Sequence, residues 1–343
     1  MQRYIQTEPI RLTPENSKKV LGRQNKSSST LYARTAFDMG YTVDIYENFE
    51  LVRVTNTDGV QKFFYWGKVP LNDQSSIYIS NHKYMHNTIL SQNGFSVPKG
   101  VVIKANDNID EILDASKIHF PVVIKPEADT VGGHDVYLDI FSKETATQLI
   151  NKVLQHRRAV LVEEYVANYK EYRVLVLRGK VIAVIYKKPA YIIGDGKSTI
   201  QELIDKKNIQ RAAAENIRLS PIPTNDECMK LLQQQECTLQ TILDNGKEIQ
   251  LQRLGNAAVG GEMIDATDDI SNENTKMCAA VLDVIGLEFA GIDILCTDIS
   301  EEISSSNGVI IETNSFPGVT CHQYPEKGES RDVATQIIEA VFE

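Results

Sequence analysis

Apolar positions recur at helical spacing in two early stretches, STLYARTAFDMG (29–40) and NHKYMHNTILSQNGFSVPKG (81–100). In the second, Met85, Ile89 and Leu90 form one stripe, and Asn93–Gly94 stops the helix before an extended VPKGVVI. Between the two lie short β-rich runs, YTVDIYE, ELVRVTN and QKFFYWG, with Asp58–Gly59 as a hairpin-type turn between the last pair. From residue 118 strands and helices alternate. HFPVVIKPEADTVGGHDVYLDI predicts two strands joined by a polar, glycine-containing loop, and KETATQLINKVLQHR an amphipathic helix. AVLVEEYV and EYRVLVLRGKVIAVIYKKP then read as strand, linker and hairpin, with Gly179 at the turn. Residues 194–250 are polar and Gln-rich and read as a mostly helical insertion, in which Ser198 or Thr199 caps a helix with Glu202 following. Strand patterns return in EIQLQRL, LEFAGIDILCTD and GVIIETNSFPG. The helix NENTKMCAAVLDVIG stands among them, and ESRDVATQIIEAVF is a last helix. Alternation with many antiparallel pairs predicts an α+β architecture.

Length changes this picture little: 343 residues, at about 150 per domain, predict two or three lobes. The first 80 residues are short for a domain of their own, so the boundary is drawn into 1–80 and 81–343. The longest apolar stretch, VLVLRGKVIAVIY, is broken by charges short of a spanning length, and the start lacks the apolar core of a signal peptide. A cytoplasmic location without membrane association is expected. Cys228, Cys237, Cys278, Cys296 and Cys321 show no CxxC spacing and read as packing or surface thiols. The net charge of -10 argues against a general nucleic-acid binder, yet leaves room for a local cationic pocket.

The chemistry concentrates in a few places. Glu312 and Asn314 in VIIETNS stand at i and i+2, on one face of a strand, and Asp293 in GIDIL lies on a candidate neighbouring strand. Three such oxygen ligands suit Mg2+, which takes one or two carboxylates and completes its shell with water and phosphate; the alternative is solvated polar groups at strand ends. Lys125 in PVVIKP interrupts an apolar strand beside Gly132 and Gly133, fitting either a phosphate site or a lysine snorkelling to water from a hairpin. The segment EEYV followed by EYR offers backbone groups for a base and a carboxylate for ribose, or is an ordinary surface. Lys83, Lys187 and Arg253 are further cations beside predicted turns and strands, while His134 and His322 are isolated. GxSxG, HExxH and paired CxxC signatures are missing from the sequence.

Together and in this order, HKYMHNTILSQNGFSVPKG, VVIKP, VEEYV with EYRVLVLRGKVIAV, KKPAYIIGDGKSTIQELI, QRLGNAAVGG, AGIDIL, VIIETNSFPG and HQYPEKG resemble the ATP-grasp superfamily of carboxylate–amine ligases. The branch most resembled contains the ATP-grasp part of cyanophycin synthetase and the glutathione-synthetase half of the bifunctional bacterial glutathione enzyme. The resemblance runs from about Lys83 to Phe342. It implies an ATP-grasp fold over 81–343, with a lid lobe at about 118–165, the helical insertion at about 194–250 and a short pre-ATP-grasp-like segment at 1–80. It assigns Lys83 and Lys125 to ATP phosphates, Gly132 and Gly133 to the loop over the γ-phosphate, and Glu163, Glu164, Tyr165 and Val166 to the adenine hinge. Glu171 goes to the ribose, Lys187 and Arg253 to the reacting groups, and Asp293, Glu312 and Asn314 to Mg2+, with Mn2+ as a substitute. The implied activity is ATP-dependent amide-bond formation on an amino acid or short peptide, through an acylphosphate, in a dimer or tetramer. The alternatives are an ATP-grasp phosphoryl-transfer enzyme and a non-catalytic nucleotide-binding relative. His82 stands where the family usually has Asp, and NAAVGG replaces a more usual N-[L/I]-S-T-G-G.

Overall fold

The run PVVIKP folds as the strand Val122–Pro126, with Val122 and Ile124 fully buried and Val123 and Lys125 on the opposite face, as a period of two requires. The computed structural model describes residues 8–22, 27–128, 134–167, 169–214 and 219–343. Val122–Pro126 belongs to a four-stranded antiparallel sheet with Gly100–Lys104, Ala159–Glu164 and Tyr137–Ile140. The helices Ile109–Ser116 and Lys143–Leu154 cover one face, packing Leu113, Ala146, Ile150 and Val153 against Ile103, Val122, Ile124 and Val162. Ser142 caps the second helix by accepting from the Thr145 N–H. A second antiparallel set consists of Lys170–Leu177, Phe289–Cys296 and Gly308–Asn314, with Phe289–Cys296 in the middle and buried along nearly its whole length. The helix Asn272–Ile285 lies against it, capped by Ser271 and ended by Gly286 in the left-handed region. These elements form one compact unit, Asn72–Val184 with Thr267–Ser315.

The other unit comprises the residues up to Leu71, Ile185–Ala266 and Phe316–Glu343. The three β-rich runs near the start form Thr42–Tyr46, Leu51–Thr55 and Gln61–Tyr65, in an antiparallel sheet with Ile10–Arg11. Asp44, 2% exposed, is held between Arg11 and Arg53 on that sheet. The helix Ser28–Asp38 and the final helix Val333–Phe342 pack together.

The expectation for 194–250 is corrected. Only Ile200–Ala212 and Asp226–Gln234 are helical there, and the rest of the described segment is turn, loop and the strand Glu248–Gln250 paired with Tyr191–Ile193. Its polar composition conceals a core of its own, in which Ile200, Ile204, Ile222, Cys228, Leu232, Leu243 and Ile249 pack together. Thr199 is the N-cap, and Glu202 completes a capping box by accepting from the Thr199 N–H at 2.7 Å. The predicted strand EIQLQRL shortens to three residues because its partner is only three residues long. Additional helices occur at Pro14–Leu21, Gln74–Asn81, Ile109–Ser116 and Thr320–Gln323, and a short strand at Glu262–Asp265. Among the described residues no helix is long and apolar enough to cross a membrane. All five cysteines are free; burial raises the thiol pKa values of Cys278 and Cys296 to about 12, which makes them inert packing groups.

Candidate functional site

The helix Lys83–Gln92 begins against the end of the Val122–Pro126 strand. His82 bridges to Ala128, and the Lys83 N–H donates to the Glu127 carbonyl at 3.1 Å. This contact brings Lys83 near Lys125 although 42 positions separate them in the chain. Lys83 is only 8% exposed. Burial lowers its pKa, Glu312 opposes that shift, and Lys125 adds to it. The two ammonium groups share one poorly hydrated region with the carboxylates of Glu312, Glu163 and Glu127, and cations gathered in this way can hold a polyphosphate.

Lys125 itself forms an ion pair with Glu163 of the neighbouring strand Ala159–Glu164. Glu163, 3% exposed, also accepts from Asn87 Nδ2 at 2.8 Å. Because the Asn87 amide nitrogen donates there, its oxygen accepts, and it lies 2.9 Å from His86 Nδ1. His86 Nδ1 therefore carries the proton. Its Nε2, 2.8 Å from Thr313 Oγ1, accepts from that hydroxyl. Burial lowers the His86 pKa, which keeps the ring neutral and is consistent with this tautomer. A buried chain, Thr313–His86–Asn87–Glu163–Lys125, thus joins strand Gly308–Asn314 to Lys125. Sequence reasoning named its two ends' neighbourhoods and missed His86, Asn87 and Thr313. The signal was present in HKYMHN, where Lys83, His86 and Asn87 recur at helical spacing.

On the three-stranded set, Asp293 stands directly opposite both Arg173 and Glu312. Glu312 and Asn314 share the face opposite the buried Thr313. The three predicted oxygen ligands thus come together on one side of two adjacent strands. Two carboxylates facing each other across a ladder repel unless a cation intervenes. In this structure Arg173 does so at Asp293, donating from Nε and a terminal nitrogen at 2.6 Å each. Arg173 was not anticipated. Among the described residues there is no group of three or more His, Cys, Asp or Glu side chains arranged to hold a metal. The donor set is two carboxylates and an amide, which fits Mg2+ completed by phosphate and water rather than a closed protein site.

Of the residues expected at the adenine hinge, Glu163 and Glu164 end the strand Ala159–Glu164, and Tyr165 and Val166 follow it. The Glu164 N–H donates to the Lys99 carbonyl and the Tyr165 N–H to the Pro121 carbonyl, each at 2.9 Å. The Glu164 carboxylate is engaged by His119 at 2.8 Å. Burial raises the pKa of the half-buried Tyr165, and Val166 continues the exit from the strand. Glu171 lies on Lys170–Leu177, on the same face as Arg173 and two residues away. Gly132 and Gly133 lie outside the described residues. Lys187 and Arg253 belong to the other unit: Lys187 pairs with Met263, and Arg253 follows the short strand Glu248–Gln250, its N–H donating to Glu227 at 3.2 Å. There the backbone at Gly255 passes so close to Lys187 that a Cβ would stand 1.8 Å from the Lys187 carbonyl oxygen. His134 is exposed, and His322 is buried in Thr320–Gln323.

Residues 80–212 match the family model described as a RimK-like ATP-grasp domain. Cyanophycin synthetase from Synechocystis sp. is 36% identical over 259 residues, 74% of this chain and 29% of that protein. The glutathione biosynthesis bifunctional protein GshAB from Clostridium perfringens is 30% identical over 269 residues, 77% of this chain and 34% of that protein. The chain therefore spans about a third or less of the length of these relatives. A bifunctional glutathione synthetase from Pasteurella multocida shares the fold, with a TM-score of 0.69 at 22% identity over 92% of this chain and 44% of that one.

Proposed function

We propose, from the match of residues 80–212 to a RimK-like ATP-grasp domain, that this chain is an ATP-dependent carboxylate–amine ligase acting on an amino acid or short peptide. The observation that carries the proposal is that Lys83 lies within electrostatic reach of both Lys125 and Glu312, and Glu312 shares its face with Asn314 and stands opposite Asp293. Such a site can bind the phosphates of ATP and a divalent cation together. In this reading Lys83 and Lys125 hold the phosphates, Val166 presents its backbone to the base and Glu171 takes the ribose hydroxyls. Glu163, tied to Lys125 and Asn87, positions the lysine. Asp293, Glu312 and Asn314 are the residues to hold Mg2+ or Mn2+, with Arg173 exchanging one of its bonds to Asp293. The cation, when bound, offsets phosphate charge and polarises the γ-phosphoryl group.

The reaction needs no protein nucleophile. A substrate carboxylate oxygen bonds to the γ-phosphorus and ADP leaves. The amine nitrogen then bonds to the acyl carbon, phosphate leaves and the amine proton passes to solvent. Lys187 and Arg253 are assigned, by the likeness of KKPAY and QRLGN, to the negative charge that builds on the acyl and phosphoryl oxygens. The test is ADP release from purified protein with Mg-ATP and a panel of amino acids and dipeptides, with product masses recorded. The expected product is an amide with ADP and phosphate. A released phosphorylated product would make it a phosphoryl-transfer enzyme, and neither turnover nor nucleotide binding would end the proposal.

A further inference from the structure

The buried chain from Thr313 to Lys125 has a direction, and the reaction above gives its first two members, Thr313 and His86, no task. All of its residues lie in the unit Asn72–Val184 with Thr267–Ser315. Glu163 sets the direction. Its carboxylate only accepts, so the Asn87 amide must turn Nδ2 toward it and Oδ1 away. That Oδ1 is likewise only an acceptor, so His86 meets it with Nδ1–H and presents the Nε2 lone pair to Thr313 Oγ1 at 2.8 Å. Each donor thus points the same way, from Thr313 through His86 and Asn87 to Glu163.

Two features give this chain more than a packing role. The first is where it starts. Thr313 stands between Glu312 and Asn314 on the strand Gly308–Asn314, with its side chain on the face opposite theirs, so its hydroxyl follows wherever that strand lies. The second is where it ends. Glu163 Oε1 takes the Asn87 amide and Oε2 takes Lys125. The same side chain packs so closely on Gly100 that a Cβ there would stand 2.8 Å from Glu163 Cγ. It has no room to retreat toward that strand. Released by Asn87, it closes further on Lys125. Thr313 and His86 are each 1% exposed at most, so bulk water does not replace a lost partner, and the loss of one bond is felt along the chain.

We propose that His86 is a positioning residue that ties the place of the strand Gly308–Asn314 to that of Lys125. Thr313 holds the ring, the ring holds Asn87, and Asn87 keeps Glu163 from closing on the lysine. That Lys125 then takes a phosphate rests on the nucleotide reading; the relay itself rests on the hydrogen bonds. Thr313→Val removes the first donor with little change of shape, and Thr313→Ser keeps it. ATP affinity is measured on the full chain by calorimetry in EDTA, so that metal contacts at Glu312 and Asn314 contribute nothing. Thr313→Val is expected to weaken ATP binding about threefold or more, and Thr313→Ser to match the parent. Thr313→Val combined with Asn87→Leu is expected to bind no more weakly than Asn87→Leu alone, because both changes break one chain. Long-range proton–nitrogen NMR of histidine-labelled protein is expected to show His86 protonated on Nδ1, with the signal assigned by its loss in His86→Gln. Unchanged ATP affinity in Thr313→Val, losses that multiply in the double variant, or a ring protonated on Nε2 each overturn the proposal. A contact with a purely structural role would lower the melting point of Thr313→Val and leave its ATP affinity alone. A parent protein that binds no ATP ends the nucleotide reading, and the tautomer seen by NMR then decides the relay by itself.

Discussion

Asn87 shows how one uncharged side chain sets the position of a charged one. Its amide holds Glu163 from one side while Lys125 holds it from the other, and His86 fixes which way the amide points. Asn87→Leu keeps the size but removes that restraint, so Glu163 closes onto Lys125 and competes with phosphate. The expected result is ATP affinity reduced about tenfold, equivalent to about 1.4 kcal/mol, with the thermal midpoint little changed; calorimetric titration of ATP and a melting curve check it. Unchanged affinity would remove the chain from the site. Glu262 makes a different kind of statement at this scale. Burial works against its carboxylate, but hydrogen bonds from Lys207 and Lys327 outweigh that and bring its pKa down from 4.5 to about 2. A carboxylate depressed in the folded state stabilises the protein fully above its unfolded pKa, and that contribution fades as pH falls from about 4.5 to about 2. The shift corresponds to on the order of 3 kcal/mol. Urea midpoints of the parent protein and Glu262→Gln should therefore differ most near neutral pH and converge as pH falls through that window; a constant gap would contradict the assignment.

At the scale of elements, backbone approach matters as much as side-chain chemistry. Gly255 in QRLGN lies where the chain runs against the strand Lys180–Lys188, and the close approach to Lys187 leaves no room for a methyl group. Gly255→Ala must push that backbone apart. A loss of about 2 kcal/mol is expected, as for other overpacked sites, and because the displaced residues include Lys187 and neighbour Arg253, ligase turnover should fall with it. Denaturant unfolding alongside the ADP assay tests this, and a variant as stable and active as the parent would show that the loop yields freely. The capping box at Thr199 and Glu202 was readable beforehand, since caps are local devices. The short helix Gln74–Asn81 was not read, although Asp73 caps it locally, because it is anchored by Ser76 donating to the Gly286 carbonyl, 210 positions away.

For the molecule as a whole, the central expectation concerns the facing carboxylates. Asp293→Asn with Glu312→Gln retains size while removing two negative charges, and leaves Arg173 one acceptor at position 293 in place of two, so turnover should fall by at least about a hundredfold with circular dichroism unchanged. Undiminished ADP release would refute the metal assignment. The Arg173–Asp293 pair warns against testing with Asp293→Ala: it removes both acceptors of a part-buried, bidentate pair, so a loss of stability would be mixed with any loss of turnover.

What the sequence determined by itself was everything carried by local pattern. Alternating valines and isoleucines around Lys125, the i and i+2 spacing of Glu312 and Asn314 and the capping residues suffice for strands and helices, because periodicity and capping act over a few residues; the ATP-grasp architecture was implied by the resemblance of the ordered motifs to that superfamily. Only the tertiary structure decided which groups meet. Register placed Arg173 and Glu312 on either side of Asp293. The packing of Lys83–Gln92 turned His86 and Asn87, unremarkable on a helix, into a buried link between Thr313 and Glu163. The polar segment 194–250 proved to carry its own core and to deliver Lys207 and Arg211 to Glu262 and Glu326, residues 55 and 115 positions further along. Such partners are chosen by strand registry and by the need to compensate buried charge, and both depend on residues far apart in the chain.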